Sequence, residues 1–160
     1  MSISKRLKLI ANLVTIGNRV ADIGTDHGYV PIYLLQNNIS PSAIAADISE
    51  PSLKKAKENI ENAKLSDRIT CVLSDGLTNI EMNKADTLII AGMGGILIDK
   101  ILRSDINKAL SFDEIILAPH RDVGLIHKFA KDYSCSIVYD NTILDKNKYY
   151  NIVKLKVCKK

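Results

Sequence analysis

Val20-Ala21-Asp22-Ile23-Gly24-Thr25-Asp26-His27-Gly28 reads as an apolar strand, then an acid, a glycine turn and the start of a helix. A dinucleotide-binding turn has a related shape, but its G-x-G-x-x-G pattern opens with glycine. Here the first fixed position is Asp22 at the strand's end, and a second acid, Asp26, sits inside the turn. Carboxylates at both places repel a bare pyrophosphate and suit a ligand with positive charge and free hydroxyls.

Outward from this turn, strands and helices alternate. Ile3, Leu7, Ile10 and Val14 recur at helical spacing, which predicts an amphipathic entry helix with Lys5, Arg6 and Lys8 off its buried face. The first strand is expected over 19–24. The helix after it starts near Gly28 and stops by Asn37-Asn38, with Pro31 tolerated only in the first turn. A second strand, 42–48, is short enough in pattern to be buried on both faces. Ser49 then caps a helix whose stripe is Leu53, Ala56, Ile60 and Ala63. Further strands are expected at 69–73, 87–91 and 114–118, with helical patterns after the last two. The tail reads as a strand at 136–139, a polar turn around 145–148 and a last strand over 149–158. In that last run Val153, Leu155 and Val157 alternate with Ile152, Lys154 and Lys156, as in a half-exposed strand. A short turn makes the final pair a hairpin, so the last strand runs antiparallel. Five strand–helix units and a hairpin predict an α/β, doubly wound, Rossmann-like sheet of seven strands, the arrangement of class I methyltransferases. A nicotinamide dehydrogenase would normally continue through a sixth parallel strand.

At 160 residues the expectation is one domain, 1–160, with a real core. Only 5% of residues are aromatic and none is Trp, which argues against broad stacking platforms for single-stranded nucleic acid. A net charge of +4 suits a polyanionic partner, although excess lysine on a solvated surface is the commoner cause. Cys71, Cys135 and Cys158 are odd in number, far apart and without C-x-x-C spacing. They argue against disulfides or zinc and for a reducing cytosol, hence a cytoplasmic protein. Cys71 and Cys135 are expected in strands, as small buried hydrophobes. No stretch approaches the roughly 18 apolar residues of a membrane span.

Ligands of doubly wound sheets lie beyond the carboxyl ends of the strands, near the switch point. To that edge the strands deliver Asp22, Gly24, Thr25, Asp26 and Gly28, then Asp47 and Ile48, then Asp75 and Gly76, then Ala91, Gly92 and Met93. Asp47 stands 25 positions after Asp22, about where an acid reaches ribose hydroxyls; an acid that caps the next helix is the lesser alternative. Asp75 suits an adenine amino group and Gly76 leaves room for the ring, unless they form only a turn. Gly24 and Gly28 allow close backbone approach, and free N–H groups near Gly28 suit a carboxylate. A sulfonium, an α-ammonium and a ribose diol meet these acids together, so the expected cofactor is S-adenosyl-L-methionine. His27 is a catalytic candidate, though a histidine at a helix start more often hydrogen-bonds its surroundings. His120, after Pro119, stands where a substrate would lie, and His127 reads as structural. No spacing makes a metal site, and no serine sits in a nucleophile elbow.

Ile3 to Leu7, Ala21 to Pro31, Ser74-Asp75-Gly76-Leu77 and Ile90-Ala91-Gly92-Met93-Gly94-Gly95 occur in order. Together they resemble the bacterial tRNA (adenine-22-N1)-methyltransferase family over nearly the whole chain. The resemblance implies methyl transfer to N1 of a D-arm adenine, with tRNA as partner and the base unpaired or flipped out. N1 needs no deprotonation, so catalysis is positioning for in-line attack. Asp26 is then the candidate carboxylate beside the cationic product, or equally a residue that fixes the turn or the cofactor's ammonium. Gly92-Met93-Gly94-Gly95 replaces the N/D-P-P-Y/F loop of amino-group methyltransferases, which lowers the odds of exocyclic chemistry. Candidate substrate residues are Gly94, Gly95, Pro119, His120, Lys5 and Arg6. Two departures stand out. Ala118-Pro119-His120 replaces the family's Gln-Pro-Asn, and the family's helical extension has no counterpart in a sequence that ends at Lys160. A cofactor-binding domain inactive alone on RNA and a small-molecule methyltransferase are the alternatives. A monomer is expected.

Overall fold

The computed structural model describes residues 3–159. Helix α1 (Lys5–Asn12) precedes strand β1 (Val20–Ile23), α2 (Tyr29–Gln36), β2 (Ala43–Asp47), α3 (Glu50–Asn62) and β3 (Ile69–Leu73). Then come β4 (Thr87–Met93), α4 (Gly95–Ser104), the short α5 (Ile106–Ala109), β5 (Glu114–Pro119), α6 (Gly124–Asp132), β6 (Ser136–Asp145) and β7 (Lys148–Lys156). The seven strands form one sheet in the order β3-β2-β1-β4-β5-β7-β6, with β7 antiparallel to both neighbours. The chain therefore leaves β1 toward one edge and returns at β4 toward the other. The switch point lies between β1 and β4, as the doubly wound reading expects.

Strand side chains alternate between two cores, which is why β4 and β5 carry the unbroken apolar runs Leu88–Ala91 and Ile115–Ala118. Ile89 and Ile116 pack under α1, α2 and α3 with Ile10, Val14, Leu34 and Ile60. Leu88, Ile90, Ile115 and Leu117 pack under α4, α5 and α6 with Ile98, Leu102 and Phe129. Ser4 and Ser49 cap α1 and α3 by accepting from the N–H groups of Leu7 and Ser52.

Four expectations need correction. Among the described residues no helix joins β3 to β4, so the five strand–helix units are four. Ser74 Oγ donates to Gly76 O and accepts from Asn79 N–H, and Gly76 and Asn83 are left-handed, so local bonds outcompete a helix over 74–86. With no helix above them, Ile44, Thr70 and Val72 line an open hollow of about 450 Å³, which runs down to Asp67 and Arg68 at the start of β3. Strand β6 runs six residues past the expected end, closed by the left-handed pair Lys146-Asn147. Cys135 lies just before β6 rather than in it. Strand β7 is interior to the sheet, and Ile152 on its supposedly exposed face is fully buried in the α1 core.

At the amino-terminal end of the sheet, buried Glu114 accepts from Thr15 N–H and Oγ1 (2.9 and 2.6 Å) and Thr87 Oγ1 (2.8 Å), with Lys154 Nζ at 3.3 Å. Burial pushes its carboxyl up, but the Thr15 and Thr87 bonds and the Lys154 charge win and hold it below the usual carboxylate range.

Candidate cofactor and active site

The turn after β1 is built from left-handed residues: Gly24 (φ 73°), Asp26 (φ 56°) and Gly28 (φ 76°). Glycine meets the first and last at little cost; aspartate tolerates the middle one. A Cβ on Gly24 would stand 2.7 Å from Met93 Cε, so the β1 turn and the β4 end abut. Thr25 N–H donates to Ala46 O (2.9 Å) and Asp26 N–H to Asp47 Oδ2 (3.0 Å), which ties the turn to the end of β2. Asp47 Oδ1 accepts from Ser49 N–H at 2.9 Å. Each Asp47 oxygen thus has one backbone donor and keeps a lone pair for a further one.

These elements enclose a cavity of about 310 Å³ at the switch point. Asp22, Thr25 and Asp47 line it with Gly24, Ala91 and Met93, while Asp26, His27 and Arg6 are also at its wall. Asp22 is fully buried. Burial pushes its carboxyl up to about 7; the nearby Thr25 hydroxyl pulls it down, and the Asp47 charge pushes it up again. Thr25 Oγ1 is itself buried with no well-formed hydrogen bond. A buried acid without a counter-charge and an unpartnered hydroxyl are complementary to a cation with N–H donors. The residues therefore fit the amino-acid end of S-adenosyl-L-methionine, and the two free Asp47 lone pairs fit a ribose diol.

Gly92 is left-handed (φ 76°) at the β4 bulge with open space above it, and lines the same cavity. Ile48, 67% exposed, follows Asp47, while Asp75 is exposed and Gly76 packs on Ile101; none of these three lines the cavity. Asp75 O accepts from Thr78 Oγ1 at 2.7 Å, a turn bond. Gly94 and Gly95 begin α4; Gly95 N–H donates to Arg121 O, and a side chain there would strike the Asp122 backbone, so packing accounts for this glycine. Pro119 is buried opposite Met93, and His120 N–H donates to Met93 O at 3.1 Å. Lys5 is exposed on α1.

Asp26 has its side chain 66% exposed and its Oδ2 lies 3.0 Å from His27 Nδ1. The His27 ring stacks on Tyr29 (5.3 Å between centroids, 20° between planes), and His27 O accepts from Asn59 Nδ2. His127 pairs with Asp140 (2.7 Å), away from the cavity. Sequence reasoning missed Tyr29, Val30 and Leu7, which complete the cavity wall. Among the described residues no helix is long and apolar enough to cross a membrane, and no group of His, Cys, Asp and Glu could hold a metal ion.

A doubly wound sheet with acids and glycine turns at its switch point is the architecture of a methyltransferase domain, and the family of that description matches residues 3–153. More narrowly, the chain belongs to the tRNA (adenine-22-N1)-methyltransferase family. It is 31% identical over 153 residues to the tRNA (adenine(22)-N(1))-methyltransferase of Bacillus subtilis, covering 96% of this chain and 64% of that protein. The crystal structure of the B. subtilis tRNA methyltransferase TrmK superposes with a TM-score of 0.93 at 30% identity, over 98% of this chain and 67% of that one. M. capricolum TrmK, solved with S-adenosyl-homocysteine, gives 0.91 at 33% identity, over 99% and 70%. The chain thus spans just under two thirds of the curated B. subtilis relative.

Proposed function

We propose that this protein transfers a methyl group from S-adenosyl-L-methionine to N1 of adenine 22 in the D-arm of tRNA. The observation that carries the reading is the switch-point cavity, where buried Asp22, orphaned Thr25 Oγ1 and half-used Asp47 await a cationic ligand with hydroxyls. Its relatives supply the target atom by their printed names.

Bound S-adenosyl-L-methionine supplies a sulfonium methyl, whose transfer makes the N1–carbon bond and leaves S-adenosyl-homocysteine. Asp22 holds the ammonium, helped by Thr25 Oγ1, and Asp47 holds the ribose. Adenine N1 carries its lone pair at neutral pH, so no residue has to remove a proton. The protein's work is to fix the approach line and shield it. Asp26, exposed at the cavity wall beside His27, stabilises the positive ring that forms. Tyr29 and Asn59 hold His27, which keeps that carboxylate in place.

Incubation with a tRNA transcript and methyl-labelled cofactor, followed by nucleoside mass spectrometry, tests the chemistry. The expected product is 1-methyladenosine. Label in N6-methyladenosine, or in a small molecule with none in tRNA, would contradict it.

A further inference from the structure

Strand β7 runs antiparallel beside β5 with Leu117 opposite Val153, so residues 148–150 overrun the carboxyl end of β5. The hairpin tip therefore stands at the edge of the sheet where the cofactor cavity opens. There His120, Lys148, Tyr149 and Tyr150 line a second, open hollow of about 480 Å³. Arg6 joins the two: it lines the first cavity, and its guanidinium lies 4.5 Å from the Tyr150 ring centroid in the second. Its backbone N–H donates to Asp145 Oδ2, which anchors α1 to the tip. Among the described residues the Arg6 guanidinium has no carboxylate within 4.0 Å, and its Nη1 is buried without a hydrogen bond.

Tyr149 is 71% exposed and, among the described residues, has no ring–ring or cation–ring contact. Lys146 and Lys148 are exposed in the same hairpin, and exposed Arg121 follows His120 in sequence; Asp122 and the engaged Asp145 are the acids nearby in sequence. The balance is positive, which favours a polyanion over an apolar protein partner. N1 lies on the pairing edge of adenine, so the base must leave its stack and needs a new one.

Resting on the function proposed above, we propose that the β6–β7 hairpin tip is the receptor for the extruded nucleotide. The base stacks on Tyr149, and Lys148 and Arg6 hold its flanking phosphates. The site is assembled by α1, β5 and the hairpin together, and so is not visible in any one of them.

The test measures tRNA methylation kinetics, cofactor affinity by calorimetry and thermal melting for Tyr149→Ala, Tyr149→Phe and Lys148→Ala. Loss of one base stack predicts that Tyr149→Ala lowers kcat/KM for tRNA about ten-fold or more. Tyr149→Phe should stay within about two-fold, since it keeps the ring. Lys148→Ala should reduce the salt slope of tRNA binding by about one. All three should melt like the wild type and bind S-adenosyl-L-methionine within about two-fold of it. An active wild type with an equally active Tyr149→Ala overturns the hairpin receptor and leaves the proposed function standing. A wild type that binds the cofactor but methylates no tRNA removes the proposed function. Titration with adenosine 5′-monophosphate, read at the Tyr149 ring protons by NMR, then decides for the receptor if they shift and against it if they do not.

Discussion

Asp47 Oδ2 accepts the backbone N–H of Asp26 at 3.0 Å, across the gap between β2 and the turn after β1. The acid at the end of β2 thereby holds a left-handed residue (φ 56°) of the neighbouring turn while its other oxygen starts α3 through Ser49 N–H. One side chain fixes the spacing of both walls of the cavity. Asp47→Asn keeps the shape but offers a single acceptor oxygen. It should weaken cofactor binding by about ten-fold or more in calorimetry, since charge-assisted bonds exceed neutral ones. Asp47→Ala should also lower stability by about 1–3 kcal/mol in urea denaturation, because two N–H groups lose their partner. Unchanged cofactor affinity in both variants would remove Asp47 from the site.

Asp22 gives the site a pH dependence with a definite sign. Its folded pKa of about 7 lies above its ordinary 3.8, so between these values the folded protein binds more protons than the unfolded chain. Stability without cofactor should therefore fall as pH rises from about 4 to 7 and then level, at about 1.4 kcal/mol per unit at most. Cofactor affinity should do the reverse, rising up to about ten-fold per unit toward pH 7, because only the carboxylate holds an ammonium. Asp22→Asn should flatten the melting profile, raise the melting temperature at pH 8 and abolish binding. A variant with the wild-type melting profile would show that Asp22 stays ionised across the range.

For Asp26 the two roles separate kinetically. If its carboxylate steadies the methylated ring, Asp26→Asn should lower kcat by about ten-fold or more with cofactor Kd within about two-fold. Equal losses in both would assign Asp26 to holding the cofactor.

Glu114 tests whether stability and function are physically separate in this sheet. Its lowered pKa means that its contribution is present above the ordinary carboxylate value of 4.5 and is lost as pH falls through the lower folded one. Glu114→Ala leaves Thr15 and Thr87 without their acceptor and half-buried Lys154, which still donates to Leu13 O, without its counter-charge. A loss of about 2–4 kcal/mol is expected in urea denaturation. Cofactor affinity should stay within about two-fold, since this network lies at the opposite end of the strands.

The acids at the strand ends were legible because each follows a short apolar run, and a doubly wound sheet brings the ends of such runs together. Asp22 and Asp47 could be paired on spacing alone. What spacing could not show is that Asp47 serves the Asp26 turn as well as a ligand. The gap between β3 and β4 misled, since Ser74, Gly76 and Asn79 bond among themselves where a helix was counted. The length of β6 was hidden because Asp140, Asn141 and Thr142 are exposed on an edge strand and show no alternation. Ile152 misled in the opposite way, since α1 covers a face that looked open. That the Asp122 backbone requires glycine at position 95 had no counterpart in the sequence. Tyr149 and Tyr150 gave no signal at all. Their meaning depends on the register of β7 against β5 and on Arg6, 144 positions before Tyr150 (150 − 6).

The most direct measurement is reverse-transcription mapping of tRNA after incubation with the protein and S-adenosyl-L-methionine. A methyl on N1 blocks base pairing, so the account predicts a new stop at adenine 22 that needs the cofactor. The stop should vanish with Asp22→Asn and with a transcript carrying guanine at position 22. Cofactor bound in the β1–β4 cavity with no stop at that position, or with the stop elsewhere, would contradict it.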